Sequence, residues 1–104
     1  MNKALIPLLA LAAAAALPSA HAASGEELFQ SRPCGACHNA EVRLVGPSLK
    51  VVAAKYAGEE GAVADMAASI KTGSSGKWGG MAMPPNAVND DEARLLAEWI
   101  LGQK

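Results

Sequence analysis

Apolar and polar positions follow three different patterns along the chain, and each predicts a different kind of segment. The first is an unbroken apolar run from Ala4 to Leu17, behind the basic Lys3 and ahead of Pro18 and the small-residue box Ala20-His21-Ala22. A basic start, an apolar centre and a small-residue end are the build of a secretory signal, and the run is shorter than the ~20 apolar residues that span a bilayer. Cleavage after Ala22 is expected, making residues 1–22 a signal peptide and leaving no membrane anchor.

The second pattern is helical. Val63, Met66, Ala67 and Ile70 fall at i, i+3, i+4 and i+7, one face of a helix that Gly73 should stop. Ser24 with Glu27 reads as a capping box for a short helix through Leu28 and Phe29, ending near Arg32 because Pro33 disfavours helical geometry in the residue before it. Ser48 is an N-cap candidate for a helix through Leu49, Val52 and Tyr56, closed by Gly58. Asn89 with Glu92 is a second capping box. Asp90 and Asp91 add negative charge at that N-terminus, and the helix runs through Leu95, Leu96, Trp99 and Ile100 to Gly102.

The third pattern is the absence of a period. From Gly73 to Val88 glycine, serine and proline dominate, and the large apolar groups are Trp78, Met81, Met83 and Val88. Loops this long in small domains are functional or disordered, and the embedded Trp and Met residues predict one ordered by contacts. No strand-like alternation occurs. The fold class is therefore all-α, with three to five short helices and no internal repeat.

Composition narrows this picture. The chain has 104 residues with 9 basic and 10 acidic side chains, a formal net charge of −1. Removal of residues 1–22 takes away Lys3 and His21, so residues 23–104 form one small, mildly acidic domain whose single histidine is His38. That balance gives no footprint for nucleic acid or for an anionic membrane surface. A core of this size supplies only a few kcal/mol beyond the entropy cost, so a disulfide, metal or other staple is expected. Cys34 and Cys37 are the only cysteines to provide one.

Both lie in RPCGACH, Arg32 to His38, two residues apart and followed at once by the histidine. In C-x-x-C-H the two thiols add to the two vinyl groups of a haem while the adjacent imidazole reaches the iron. A zinc site needs four ligands, and residues 23–104 offer three of the cysteine and histidine type. A thioredoxin-like pair belongs in a βαβ context that this pattern lacks. A structural disulfide closing so short a loop adds little stability and leaves His38 unexplained. Covalent haem c accounts for all three residues.

With no second histidine, a methionine thioether is the natural second axial ligand. Met66 sits on the apolar face of a predicted helix and reads as core. Met81 and Met83 lie in the long loop. Met83 is favoured because Pro84-Pro85 stiffens the chain beside it, with Met81 the competing sulfur.

CGACH followed by VGPSLK, GSSGKWGG, MPPNAV and DDEARLLAEWILGQK resembles the small bacterial class I cytochromes c of the cytochrome c-551 type, over essentially all of residues 23–104. The resemblance implies the class I cytochrome c fold, with the helices wrapped around one haem in a monohaem domain. It carries Cys34 and Cys37 onto the thioether cysteines, His38 onto the proximal ligand and Met83 onto the distal one. Pro47 matches the proline whose carbonyl accepts from the ligand imidazole. Asn86 matches an asparagine that hydrogen-bonds near the methionine sulfur, and Trp78 a tryptophan whose indole N–H donates to a haem propionate. Phe29 and Trp99 match an aromatic pair where the first and last helices cross. Where the family commonly reads I-P-M-P-P this chain reads MAMPP, which puts Ala82 in place of a proline and introduces Met81.

With both axial positions filled, the remaining chemistry is a one-electron change at iron. The expectation is a non-enzymatic, monomeric periplasmic electron carrier. Its partners, as the resemblance implies, are redox proteins such as a cytochrome-bc-type complex, a cytochrome cd-type nitrite reductase, a terminal oxidase or a peroxidase. One alternative is a haem-based sensor or peroxidase-like enzyme with a labile sixth ligand. Another is a module docked permanently on a larger oxidoreductase. Gly35, Ala36, Val45, Met81 and Ala82 should form an exposed apolar patch, with Arg32, Arg43, Lys50 and Lys77 as candidate steering charges around it.

Overall fold

Polar caps set the helix boundaries. In the computed structural model, which describes residues 23–104, the Ser24 hydroxyl accepts from the Glu27 N–H at 3.2 Å and opens α1, Gly25–Ser31. Arg32 is already extended, as the following Pro33 requires, and Pro33–Ala36 continue as one turn of 3₁₀ helix. Ser48 caps α2, Leu49–Tyr56, through the Val51 N–H. Next comes α3, Ala62–Thr72, which ends at Gly73. Asn89 and Glu92 form a complete reciprocal capping box at the start of α4, Asp90–Leu101. The predicted signal peptide, residues 1–22, lies outside the described residues.

Every helix turns its apolar stripe toward one region. Leu49, Val52, Ala53 and Tyr56 are buried from α2, Met66 and Ile70 from α3, and Ala93, Leu96, Ala97 and Ile100 from α4. Each set lies at helical spacing, so the faces can be read directly from the pattern. Full burial of a side chain such as Leu96 contributes about 1.5–3 kcal/mol. α4 is the hub, with α1, α2 and α3 each packing on it. The crossing with α1 is close enough that a Cβ on Gly25 would lie 2.4 Å from the Trp99 Cβ. There Phe29 and Trp99 meet, with ring centroids 5.2 Å apart and planes tilted by 44°.

Among the described residues there is no strand, in agreement with the all-α pattern. Two isolated antiparallel bridges occur instead, His38 with Arg43 and Ser74 with Met83. One falls in each of the two long loops, residues 37–48 and 73–89. Since three helices converge on α4 rather than on one another, the loops close the remaining sides of the interior. The result is a cavity bounded on one side by the helical core.

Candidate haem site

The proximal wall is built from one short turn and the loop that follows it. Pro33 starts the 3₁₀ turn, after which the Cys37 and His38 N–H groups both donate to the Cys34 carbonyl, at 3.2 and 3.0 Å. This turn places both thiols, half-buried and free, in the cavity wall together with His38. Burial pushes the Cys34 thiol up, against the pull of its own backbone amide and of Arg32. The chain then reverses. Asn39 accepts from the Glu41 and Val42 N–H groups, and Gly46 N–H donates to the Cys37 carbonyl at 2.8 Å.

That reversal delivers Pro47 to the imidazole. His38 Nδ1 lies 2.9 Å from the Pro47 carbonyl oxygen. A carbonyl only accepts, so Nδ1 carries the proton and Nε2 keeps its lone pair for a metal. Gly46 makes the approach feasible, because a Cβ there would sit 2.5 Å from the His38 ring.

The distal wall is the loop from Gly73 to Asn89. Ser74 and Met83 exchange two backbone hydrogen bonds, Ser74 N–H to the Met83 carbonyl at 3.0 Å and Met83 N–H to the Ser74 carbonyl at 2.8 Å. Met83 is half-buried and lines the cavity. Met81 also lines it, at the rim, with 76% of its surface exposed. Pro84-Pro85 stiffens the chain directly after Met83. The bridge to Ser74 is a second restraint that no residue pattern announced.

Asn86 donates its side-chain N–H to the Ile70 carbonyl at 2.9 Å, and its backbone N–H goes to the same oxygen at 3.1 Å. It lines the cavity, and its amide serves the end of α3. Trp78 lines the cavity as well, and its indole N–H donates to no protein group among the described residues. Lys55 Nζ lies 4.3 Å from the Trp78 ring centroid and donates to the Lys77 carbonyl at 3.1 Å.

Lys77 itself donates to the Tyr56 hydroxyl at 2.6 Å and to Asp65 Oδ2 at 3.0 Å. Its ammonium is held above the ordinary lysine range, first by Tyr56 and then by Asp65. The Asp65 carboxyl is correspondingly lowered, chiefly by Lys77. Three of the four expected steering charges are thus engaged at home: Lys77 with Asp65, Lys50 with Glu41 at 2.8 Å, and Arg32 with Glu92 at 2.9 Å. The exposed Lys50–Glu41 and Lys77–Asp65 pairs contribute little stability but neutralise each other's charge, and the Arg32–Glu92 pair is half-buried. Among the described residues Arg43 is the member of that set without an ion-pair partner.

These walls enclose an apolar cavity with an empty volume of about 1110 Å³, which includes its opening to solvent. Leu49, Val52, Met66, Ile70, Leu96 and Ile100 belong both to the core and to its lining. Two thiols, one imidazole with a committed tautomer and the thioethers of Met66, Met81 and Met83 line a single apolar space. A flat apolar macrocycle carrying iron suits that donor set.

A sequence model of the cytochrome c family matches residues 22–104. The chain belongs to the cytochrome c family. It is 55% identical to the cytochrome c-551 of Stutzerimonas stutzeri over 104 residues, covering all of both chains. To the cytochrome c-551 of Ectopseudomonas mendocina it is 61% identical over 82 residues, 79% of this chain and all of that one. The crystal structure of wild-type Nitrosomonas europaea cytochrome c552 superposes with a TM-score of 0.73 at 49% identity, covering 76% of this chain and 99% of that one. The fold is the all-α class I cytochrome c fold, and the cofactor is covalent haem c at a C-x-x-C-H motif containing Cys34 and Cys37. It is a small electron-transfer cytochrome.

Proposed function

We propose that the chain is a mobile periplasmic electron carrier in which Cys34 and Cys37 form the two thioether bonds to haem c and His38 Nε2 and the Met83 sulfur are the axial ligands of its iron. The observation that carries this reading is the 2.9 Å contact from His38 Nδ1 to the Pro47 carbonyl, in the wall of the cavity that both thiols and Met83 line. Bound haem supplies the one-electron change at iron, and the chain supplies its surroundings. Pro47 fixes the imidazole tautomer and orientation. Ser74 holds the Met83 backbone through both its N–H and its carbonyl. Buried Leu49, Val52, Ile70 and Leu96 exclude water, which disfavours the more highly charged ferric state, and a thioether ligand acts in the same direction.

The outer residues have supporting parts. Trp78 presents an unengaged indole N–H at the cavity, the donor proposed for a haem propionate. Asn86 ties the chain three residues beyond Met83 to the end of α3, so it steadies the surroundings of the sulfur through the backbone. Residues 1–22 carry the three-part secretory build, on which we base export and cleavage after Ala22. None of the helices among the described residues is long and apolar enough to cross a membrane.

Exchange with a partner takes place at the cavity mouth, where Val45 and Met81 are 49% and 76% exposed and Ala82, Gly35 and Ala36 are exposed around them. The partners in this reading are redox proteins of the kinds named above, a cytochrome-bc-type complex, a cytochrome cd-type nitrite reductase, a terminal oxidase or a peroxidase, and the carrier works as a monomer. Filled axial positions separate it from a sensor or peroxidase-like enzyme.

The test is the ferric spectrum. The wild type should show the weak red sulfur-to-iron charge-transfer band. Met83→Ala should abolish it and lower the reduction potential by roughly 0.1–0.3 V, within the ~0.8 V that axial ligation spans. Met81→Ala should leave both nearly unchanged. A band that survives Met83→Ala and is lost only when Met81 is also removed would overturn the assignment. A wild type without the band would favour the open-site enzyme or sensor.

A further inference from the structure

Between the Ser74–Met83 bridge and the mouth of the cavity runs a segment with little to hold it. Residues 75–82 are exposed except for Trp78, and Gly76, Gly79 and Gly80 all have positive φ. Segments with few buried contacts open at low free-energy cost. Yet among the described residues every hydrogen bond between 75–82 and the rest of the chain ends on Lys77. Its ammonium reaches Tyr56 of α2 and Asp65 of α3, and its carbonyl accepts from Lys55 of α2. The ammonium also lies 5.0 Å from the Tyr56 ring centroid. Tyr56 is only 5% exposed, so one end of this contact belongs to the rigid core. Tyr56, Lys77 and Trp78 all line the same cavity.

We infer that Lys77 is a positioning residue that latches the distal loop shut, and so sets how readily a foreign ligand reaches the coordination position filled by Met83. The inference rests on the assignment of Met83 as ligand. Its physical basis is that a bond weak enough to exchange is kept by the cost of moving the loop that carries it. The Ser74 bridge and the Asn86 contact secure the two stems of that loop, and Lys77 secures its middle. Lys55 completes the latch by lying over Trp78 while holding the Lys77 carbonyl. The sequence offers no hint of this, since Lys77 reads there as a candidate steering charge.

The experiment uses the ferric holoprotein with imidazole as probe, following the rate at which the charge-transfer band is lost. Lys77→Met should bind imidazole roughly tenfold faster, the effect expected from losing a charge-assisted hydrogen bond and an exposed ion pair. Tyr56→Phe and Asp65→Asn should each accelerate binding by a smaller factor, about two- to fivefold, and combining either with Lys77→Met should add little. Lys50→Met, which removes the same charge from the Glu41 pair, should leave the rate unchanged. Amide exchange should quicken within residues 75–83 and not in α4.

A Lys77→Met protein with an intact band and a wild-type imidazole rate would overturn the latch. Faster binding accompanied by an equal loss of protection in α4 would overturn it too, by showing a general loss of stability. If Lys77→Met does not yield holoprotein, Tyr56→Phe and Asp65→Asn decide the question by the same two readouts. A wild type lacking the band would instead refute Met83 ligation, and with it the ligand-guarding role.

Discussion

The proximal and distal walls of the haem site each present one of the two proposed ligands, His38 and Met83, but are held by different means. On the proximal side Cys37 and His38 donate to Cys34, Gly46 to Cys37, and His38 to Pro47 only nine residues away. On the distal side Asn86 reaches Ile70 across 16 residues, Lys77 reaches Asp65 across 12 and Tyr56 across 21, and Ser74 pairs with Met83. The difference follows the bonds each wall must support. A nitrogen ligand next to two covalent anchors needs orientation, which a short turn provides. A thioether on a long loop needs to be kept in place, which requires the helices behind it.

The largest expected effect erases the comparison. Cys34→Ala with Cys37→Ala removes the attachment of haem, and seven of the core side chains then face an empty cavity. The apo chain should be largely disordered, with most of its helical circular dichroism lost. A native-like spectrum with a cooperative melt would mean that packing on α4 holds the fold by itself.

Next in size is a break confined to the proximal wall. Gly46→Ala places a Cβ where it would meet the His38 ring at 2.5 Å. The loop or the imidazole must shift, at a cost of about 1–3 kcal/mol. Urea denaturation of the holoprotein should show that loss, while imidazole binding on the distal side stays near the wild-type rate. An unchanged denaturation midpoint would show that the proximal turn is more pliant than its hydrogen bonds imply.

A distal counterpart is Asn86→Ala. Losing the bond to the Ile70 carbonyl should weaken the loop by about 1 kcal/mol. The charge-transfer band should then disappear at lower denaturant than the helical signal, separating the ligand loop from the helices. Coincident transitions at an unshifted midpoint would count against the clamp.

The smallest effect concerns the long-range contact of the proximal side, Arg32 to Glu92 across 60 residues. The Asn89 N–H, and after it Arg32, hold the Glu92 carboxyl below the ordinary glutamate range. A carboxyl lowered on folding stabilises the protein above its unfolded value and loses that contribution as pH falls through its folded one. Glu92→Gln keeps the capping geometry but not the charge. Its melting temperature should therefore fall slightly below wild type at neutral pH and converge with it in acid. A gap that persists in acid would assign the effect to packing.

What was legible in the sequence is what short chain segments decide for themselves. Ser24, Ser48 and the Asn89–Glu92 box mark helix starts because a cap closes within three residues, and Pro33 ends α1 by a steric rule acting on its neighbour. The C-x-x-C-H motif is legible for the same reason, with both thiols and the imidazole inside one turn. Pro47 and Asn86 required a family resemblance, because their partners lie 9 and 16 residues away. The tertiary structure alone decided that Ser74 grips Met83, that Lys50 and Lys77 are spent on Glu41 and Asp65 rather than left to steer a partner, and that Lys77 closes the distal loop on Tyr56. These contacts join groups whose chemistry admits many partners. Which one is met depends on how the helices and loops are placed in space, and no local pattern along the chain encodes that placement.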